Sequence, residues 1–225
     1  MQASELFTLS EDFPFADFFR ADMAPWEWVS AIKPALKSFD FAAAPKRDDI
    51  PAGVTVDDDV YIHPSVKLPP YCVIEGPSWI GADTEIRPGA YIRGNVIIGK
   101  GCVIGNSCEF KNSLVLDNSQ VPHFNYVGDS VLGQKAHLGA GVICANLRLD
   151  QKPVVVMTPE GKVDTGMRKL GALMGDAAEA GCNSVLQPGS ILGKRSAVIS
   201  MPFNGYLEPE TIAIEKARIA KLPRP

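Results

Sequence analysis

The chain has 225 residues with 22 basic and 26 acidic side chains, a formal net charge of −4 and 46% hydrophobic residues. That charge argues against a general binder of nucleic acid or of an anionic membrane, and the hydrophobic share excludes a disordered linker protein. Yet 20 glycines and 18 prolines are many chain breakers beside a full complement of core formers, which asks for a fold that turns very often.

Met1 to Leu9 carry neither the basic region nor the apolar core of a signal peptide, and no stretch reaches the length of a membrane span, so the expected location is the cytoplasm. Residues 1–53 read as a helical N-terminal cap. Between 10 and 45, Phe13, Phe15, Phe18, Phe19, Trp26 and Trp28 are interrupted by Pro14, Pro25 and Pro34, which predicts two short helices closing the first coil of the structure that follows.

From Ile62 an apolar residue recurs every six positions, as Leu68, Ile74, Ile80, Ile86, Ile92, Ile98, Ile104, Phe110 and Leu116. Two residues before each stands a smaller one, for instance Val66, Cys72, Ser78, Thr84, Ala90, Cys102 and Cys108, and turn formers such as Pro-Gly and Gly-Lys-Gly lie between the pairs. A period of six fits neither a helix nor a lone strand. It fits a short strand followed by a sharp corner, with three such units making a triangular coil and coils stacked about 4.8 Å apart. The fold class expected over 54–200 is therefore all-β, a left-handed parallel β-helix of hexapeptide repeats with short helical segments at its two ends.

The count then stumbles. Pro122 falls on the next inward slot, but the series resumes two residues short at Leu132, Leu138 and Cys144, and again at Met174, Ala180, Leu186, Leu192 and Val198. Irregularities in a strict repeat are where local rules yield to function, and these bracket residues 122–169. Within them PVVVMTPEGKVDTG reads as a hairpin arm at about 147–170 with a Thr-Pro-Glu-Gly turn, long enough to reach a neighbouring subunit. Residues 201–225 form a C-terminal tail with a helix expected over 208–221. Of the five cysteines, Cys72, Cys102, Cys108 and Cys144 fall on inward slots, which favours a structural role, while Cys182 falls toward a corner. No CxxC occurs, and the three histidines, His63, His123 and His137, lack the close pairing of a zinc site, so no metal is expected.

Residues 18 apart should share a corner. Arg93 and Lys111 then stack one coil apart, and Arg87 and His123, 36 apart, lie two coils apart on another edge. Solvated corner charges account for any one of these cations alone. Two cations at about 5 Å repel unless an anion joins them, and a phosphate is a natural candidate.

The stretch EFKNSLVLDNSQVPHFNYVGDSVLGQKAHLGAGVICANLRLDQK resembles the acetyltransferase domain of the bacterial bifunctional N-acetylglucosamine-1-phosphate uridyltransferase/glucosamine-1-phosphate acetyltransferase family. The pattern is E-x-K, then His-x-x-Tyr-x-Gly-Asp, then GAG with an asparagine beyond it. The later GMRKLGALMGDAAEAGCNSVLQPGSILG is similar to the archaeal, sugar-phosphate nucleotidyltransferase-like branch of that group, and the resemblance covers roughly 54–200. It implies acetyl transfer from acetyl-CoA, as co-substrate, to the amine of a hexosamine 1-phosphate. By position His123 matches the family's catalytic base, Arg87 and Lys111 the residues holding the sugar phosphate, and Tyr126, Asn146 and Lys152 further sugar-site positions. Ala140, Cys182 and Ser200 match positions lining the acetyl-CoA site. Arg93 has no counterpart. The resemblance also implies a homotrimer with active sites between subunits.

The sequence departs from the family in two ways. It contains no Gly-rich nucleotidyltransferase loop of the GxGTRM type, so uridylyl transfer is not expected, and Asn146-Leu147-Arg148-Leu149 replaces the family's Asn-Tyr-Asp-Gly. Acyl transfer to a nucleotide-linked amino sugar or to a hydroxyl group, and a non-catalytic sugar-phosphate-binding scaffold, are the alternatives.

Overall fold

Each hexapeptide buries one aliphatic side chain and then turns, so the chain climbs as a three-sided parallel β-helix. The computed structural model describes residues 1–214, and there the strands form three parallel sheets of eight, eight and seven strands, one per face of the coil. On the first face Ile74 sits opposite Ile92 and Ile92 opposite Phe110; on the second Ile62, Ile80 and Ile98 align; on the third Ile86 faces Ile104. These side chains form one interior column of core, with the small residues Cys72, Ser78, Thr84, Ala90, Cys102 and Cys108 buried at the inner corners.

The stumble proves to be two separate one-residue deletions. Ile98 pairs with Val115 and Phe110 with Val127, each a step of 17 rather than 18, because one residue is missing from the corner after Phe110. Val115 pairs with Leu132, another step of 17, through a second loss after Val127. Val115 and Val121 are therefore the inward residues, and the expectation of Leu116 and Pro122 in those slots is corrected. Leu116 points outward instead. The third irregularity emerges at the same corner, between Cys144 on the first face and Met174 on the second, and is the arm. Its hairpin is as expected, Val155–Thr158 against Gly161–Asp164 with Thr158 opposite Gly161. It does not project to a distance, however. Val154 and Val156 are fully buried against the second face of their own chain.

The second face also explains the N-terminal segment. Its outward residues stack as Tyr61, Trp79, Ile97, Leu114, Val131, Leu173, Ile191 and Tyr206, apolar at every level. A sheet apolar on both sides must be covered. The cover is two 3-10 turns, Ala3–Glu5 and Ala16–Phe18, and one α-helix, Glu27–Ser38, which meets the strands Val96–Ile98 and Ser113–Val115. The expected pair of helices over the first coil is thus corrected to one helix along a flank. Pro34 does not end it, because Trp28, Ile32, Ala35 and Leu36 continue an apolar stripe at helical spacing and all four are buried. Phe7, Phe13, Phe15 and Phe19 complete the layer, with Phe19 and Trp28 in an edge-to-face contact at 5.5 Å. Polar ties at its rim join Ser10 to Asp117 and Lys100 to Asp12, the latter at 2.8 Å.

Of the helix expected over 208–221, residues 215–221 lie outside the described residues, and over 208–214 the expectation is corrected. Its described part continues the solenoid, with Ile212–Ala213 pairing Ala197–Val198 on the third face. No helix of the described residues is long and apolar enough to cross a membrane.

Trp28 and Ile98 belong to different layers, yet both are essentially without solvent contact. Trp28→Ala should cost about 3–5 kcal/mol and Ile98→Ala about 2–5 kcal/mol, read from urea midpoints at fixed protein concentration. A loss under about 1 kcal/mol for Trp28→Ala would show that the N-terminal layer is only loosely attached.

Candidate active site

The dropped residues decide what meets at the corner between the first and second faces. Lys111 ends the strand Glu109–Lys111 and stacks on Gly128, which ends Tyr126–Gly128 one coil below. Asn112 and Asp129 follow at φ +47° and +48°, the left-handed conformation that Asn and Asp tolerate best among residues with a side chain beyond Cβ. In these shortened corners the Asp129 side chain turns inward and is only 4% exposed. Its carboxylate accepts from Lys111 Nζ at 3.0 and 3.1 Å, from Asn112 Nδ2 at 2.8 Å and from Asn146 Nδ2. The Asn146 amide also donates to Tyr126 Oη at 3.2 Å. Gly128 leaves room for this closure: a Cβ there would come within 2.5 Å of Tyr126 Oη and 2.7 Å of Asn146 Nδ2. Three expected site residues, Lys111, Tyr126 and Asn146, are thus joined through an aspartate that was part of the recognised motif but had no assigned role.

The corner between the third and first faces carries the second group. His123 is opposite Asn106, its carbonyl accepts from Gly141 at 3.0 Å, and Ala140's carbonyl accepts from Asn183 at 2.8 Å. With Glu179 opposite Ala197, the register puts Asn106, His123, Ala140, Cys182 and Ser200 in one column. Among the described residues the N–H groups of Ala140, Cys182 and Ser200 have no hydrogen-bond acceptor, so the column presents donors about 5 Å apart. The structure therefore groups the expected base with all three expected acetyl-CoA positions.

Other expectations are corrected. Arg87 aligns with Gly105 and Pro122, not with His123, because the deletion after Phe110 advances the chain by one residue along this corner. Arg93 and Lys111 do stack, but no shared anion is needed, since Arg93 pairs with Glu109 at 2.7 Å and Lys111 with Asp129. Arg87 Nε likewise meets Glu85 at 2.8 Å, leaving its Nη groups free of partners among the described residues. Lys152 lies exposed at the start of the arm, and no hydrogen bond links its side chain to the cluster.

Phe124 was not anticipated. It follows His123, is 61% exposed and has φ +54°, its ring centroid 6.3 Å from the imidazole. The same left-handed position in neighbouring coils is held by Gly89, Ser107, Gly141 and Asn183. A bulky exposed aromatic in a slot that neighbouring coils give to small or turn-forming residues stores on the order of 1–2 kcal/mol of strain. The sequence signal was available in that substitution pattern.

Burial pushes the thiols of Cys72 up to about 11 and of Cys102 and Cys144 up to about 12, which removes them from nucleophilic chemistry. Burial also raises the Tyr126 phenol, and the Asn146 donor opposes the rise.

A three-sided parallel β-helix with a donor-lined corner and a polar cluster on either side of one face defines a hexapeptide-repeat protein. The chain belongs to the family whose model is described as the GMPPB C-terminal domain, which matches residues 74–201. It is similar to the bifunctional protein GlmU of Methanococcus vannielii, 37% identical over 175 residues, which are 77% of this chain and 41% of that protein. The GlmU protein of Methanococcus aeolicus is 34% identical over 172 residues, 68% of this chain and 42% of that one. A bifunctional sugar-1-phosphate nucleotidylyltransferase/acetyltransferase of Sulfurisphaera tokodaii is 35% identical over 130 residues, 58% of this chain and 26% of that protein. The chain thus spans less than half the length of these relatives.

Two measurements probe this geometry. Cys182, the exposed thiol, should react rapidly with a disulfide reagent at pH 8 while the four buried thiols react only on unfolding; two or more fast thiols would contradict the inward slots. In Asn146→Ala the phenolate of Tyr126 loses its donor, so the phenol should titrate at still higher pH, seen as a shift in the ultraviolet difference spectrum against Tyr126→Phe.

Proposed function

We propose that the protein is an acyltransferase that moves an acetyl group from acetyl-CoA to the amine of a hexosamine 1-phosphate. The observation that carries this reading is the single column of His123, Ala140, Cys182 and Ser200 beside the Lys111–Asp129–Asn146–Tyr126 cluster. The unpaired N–H groups of the column suit the amide carbonyls of a pantetheine arm laid along the corner, with the thioester near His123. The acceptor's amine attacks the thioester carbonyl, His123 takes the proton that the nitrogen loses, and as the carbon–sulfur bond breaks His123 returns that proton to the departing sulfur, releasing the CoA thiol. The Ala140 N–H is the donor placed to meet the developing oxyanion. The Gly141 N–H is already given to the His123 carbonyl.

Arg87 keeps its Nη groups for a phosphate, and Lys111 retains donor capacity beyond Asp129, so both would seat the acceptor rather than take part in bond making. Three copies are the proposed unit, in the cytoplasm. The outer side of the first face supports subunit contact there, since Tyr71, Val73 and Tyr91 are exposed beside the site. A trimer would have three times the 24.2 kDa chain mass in light scattering.

The test is thiol release from acetyl-CoA with a panel of amino-sugar phosphates, nucleotide-linked amino sugars and hydroxyl acceptors. His123→Ala should lower the rate by about 10² to 10⁴ with the oligomer intact. Release that is undiminished in that variant would remove His123 from the mechanism, and no release with any acceptor would favour a binding scaffold.

A further inference from the structure

The motif His-x-x-Tyr-x-Gly-Asp contributes an aspartate that acetyl transfer does not use, and it is buried among polar side chains. Asp129 is buried in the second deletion corner, its own N–H is held by the Lys111 carbonyl of the first at 2.9 Å, and its carbonyl accepts from Gly171 at 2.8 Å, where the arm rejoins the solenoid. An ionised carboxylate offers about four lone-pair sites, and four contacts occupy them: two from Lys111 Nζ, one from Asn112 and one from Asn146. The group therefore has no free site with which to accept a substrate proton. What it does have is contact with the side chains that line the acceptor end of the site.

We propose that Asp129 is the positioning residue of the acceptor site: it fixes the Lys111 ammonium and the Asn146 amide, and through Asn146 the Tyr126 hydroxyl, as one preformed polar set in which Lys111 and Tyr126 keep a donor and the Asn146 carbonyl an acceptor. The proposal rests on the acyltransferase reading for its substrate but not for its geometry. Lys111 is part-buried and its side chain would otherwise sample many rotamers; the bidentate contact holds it where the face begins. Because the carboxylate also balances the ammonium, this edge presents directed donors and an acceptor without net charge. It suits the hydroxyls of a sugar ring, leaving the Nη groups of Arg87, two coils above Pro122, as the cationic contact for a phosphate.

The experiment compares the full chain with Asp129→Asn, Lys111→Gln and the double variant. First, lysine acetylation by acetic anhydride is followed by mass spectrometry. In D129N the freed Lys111 should react about tenfold faster relative to the exposed Lys135, since a charge-assisted contact of this kind is worth about that factor or more. This readout needs no enzymatic activity, so a wild-type protein that releases no thiol would defeat the acyltransferase reading while leaving this one decided by the labelling. Second, where thiol release is seen, D129N should raise the acceptor KM about 10- to 100-fold with the KM for acetyl-CoA unchanged, and the double variant should be no worse than the poorer single one. Unchanged Lys111 labelling, or strictly additive effects in the double variant, would overturn the proposal. Should D129N and Asp129→Ser both fail to fold while K111Q folds, Asp129 is a structural group and the proposal also falls.

Discussion

A parallel β-helix of this kind is governed by the inward stack. Each coil places three side chains on the axis, and each must pack on its equivalent about 4.8 Å above and below because the backbone ladders fix that spacing. Ile74 on Ile92 on Phe110 on Val127 is one such column, and it continues through Cys144 and Leu186. The stack tolerates changes in the corners but not in the slots. When a residue is lost, the chain gives up the corner and keeps an apolar residue on the axis, as Val115 and Val121 show. Everything the surface carries is then displaced by one position relative to the coil above.

That displacement builds the site. Three successive coils are irregular at the same corner, twice by deletion and once by the arm, and Lys111, Asp129 and Asn146 come from these three corners. On the next edge the chain remains regular enough for His123, Ala140, Cys182 and Ser200 to fall into line. One edge is adapted for a set of directed side chains and the other for a ladder of backbone donors. The face between them, with Tyr126 on it, is where the proposed reaction places its two substrates.

The charges follow the same logic. The cations at the edges of this face, Arg87, Arg93 and Lys111, each have their own carboxylate. Stacked cations at coil spacing would otherwise repel by about a kilocalorie even in water; the next coil supplies the counter-charge of Arg93 and Lys111, and Glu85 on the same coil that of Arg87. Exposed pairs such as Arg93–Glu109 contribute little to stability. The buried Asp129 differs, because it accepts from three side chains at once, those of Lys111, Asn112 and Asn146.

The six-residue period, the inward aliphatics, the hairpin of the arm and the residue types of the site could all be read from the sequence, since each is a local pattern repeated at fixed spacing. The outward column Tyr61, Trp79, Ile97, Leu114, Val131, Leu173, Ile191 and Tyr206 was equally present in it, but its meaning depends on which strands are neighbours in space. Only the folded coil shows that this face is apolar throughout and so draws the N-terminal helix along a flank. Likewise a count in sixes detects two missing residues but cannot say which corner lost them. The ladder register decides that, by keeping Val115 and Val121 on the axis, and with it decides that Arg87 lies above Pro122 and that Lys111 meets Asp129. Sequence determined the chemistry available, and the packing of the coils determined which groups meet.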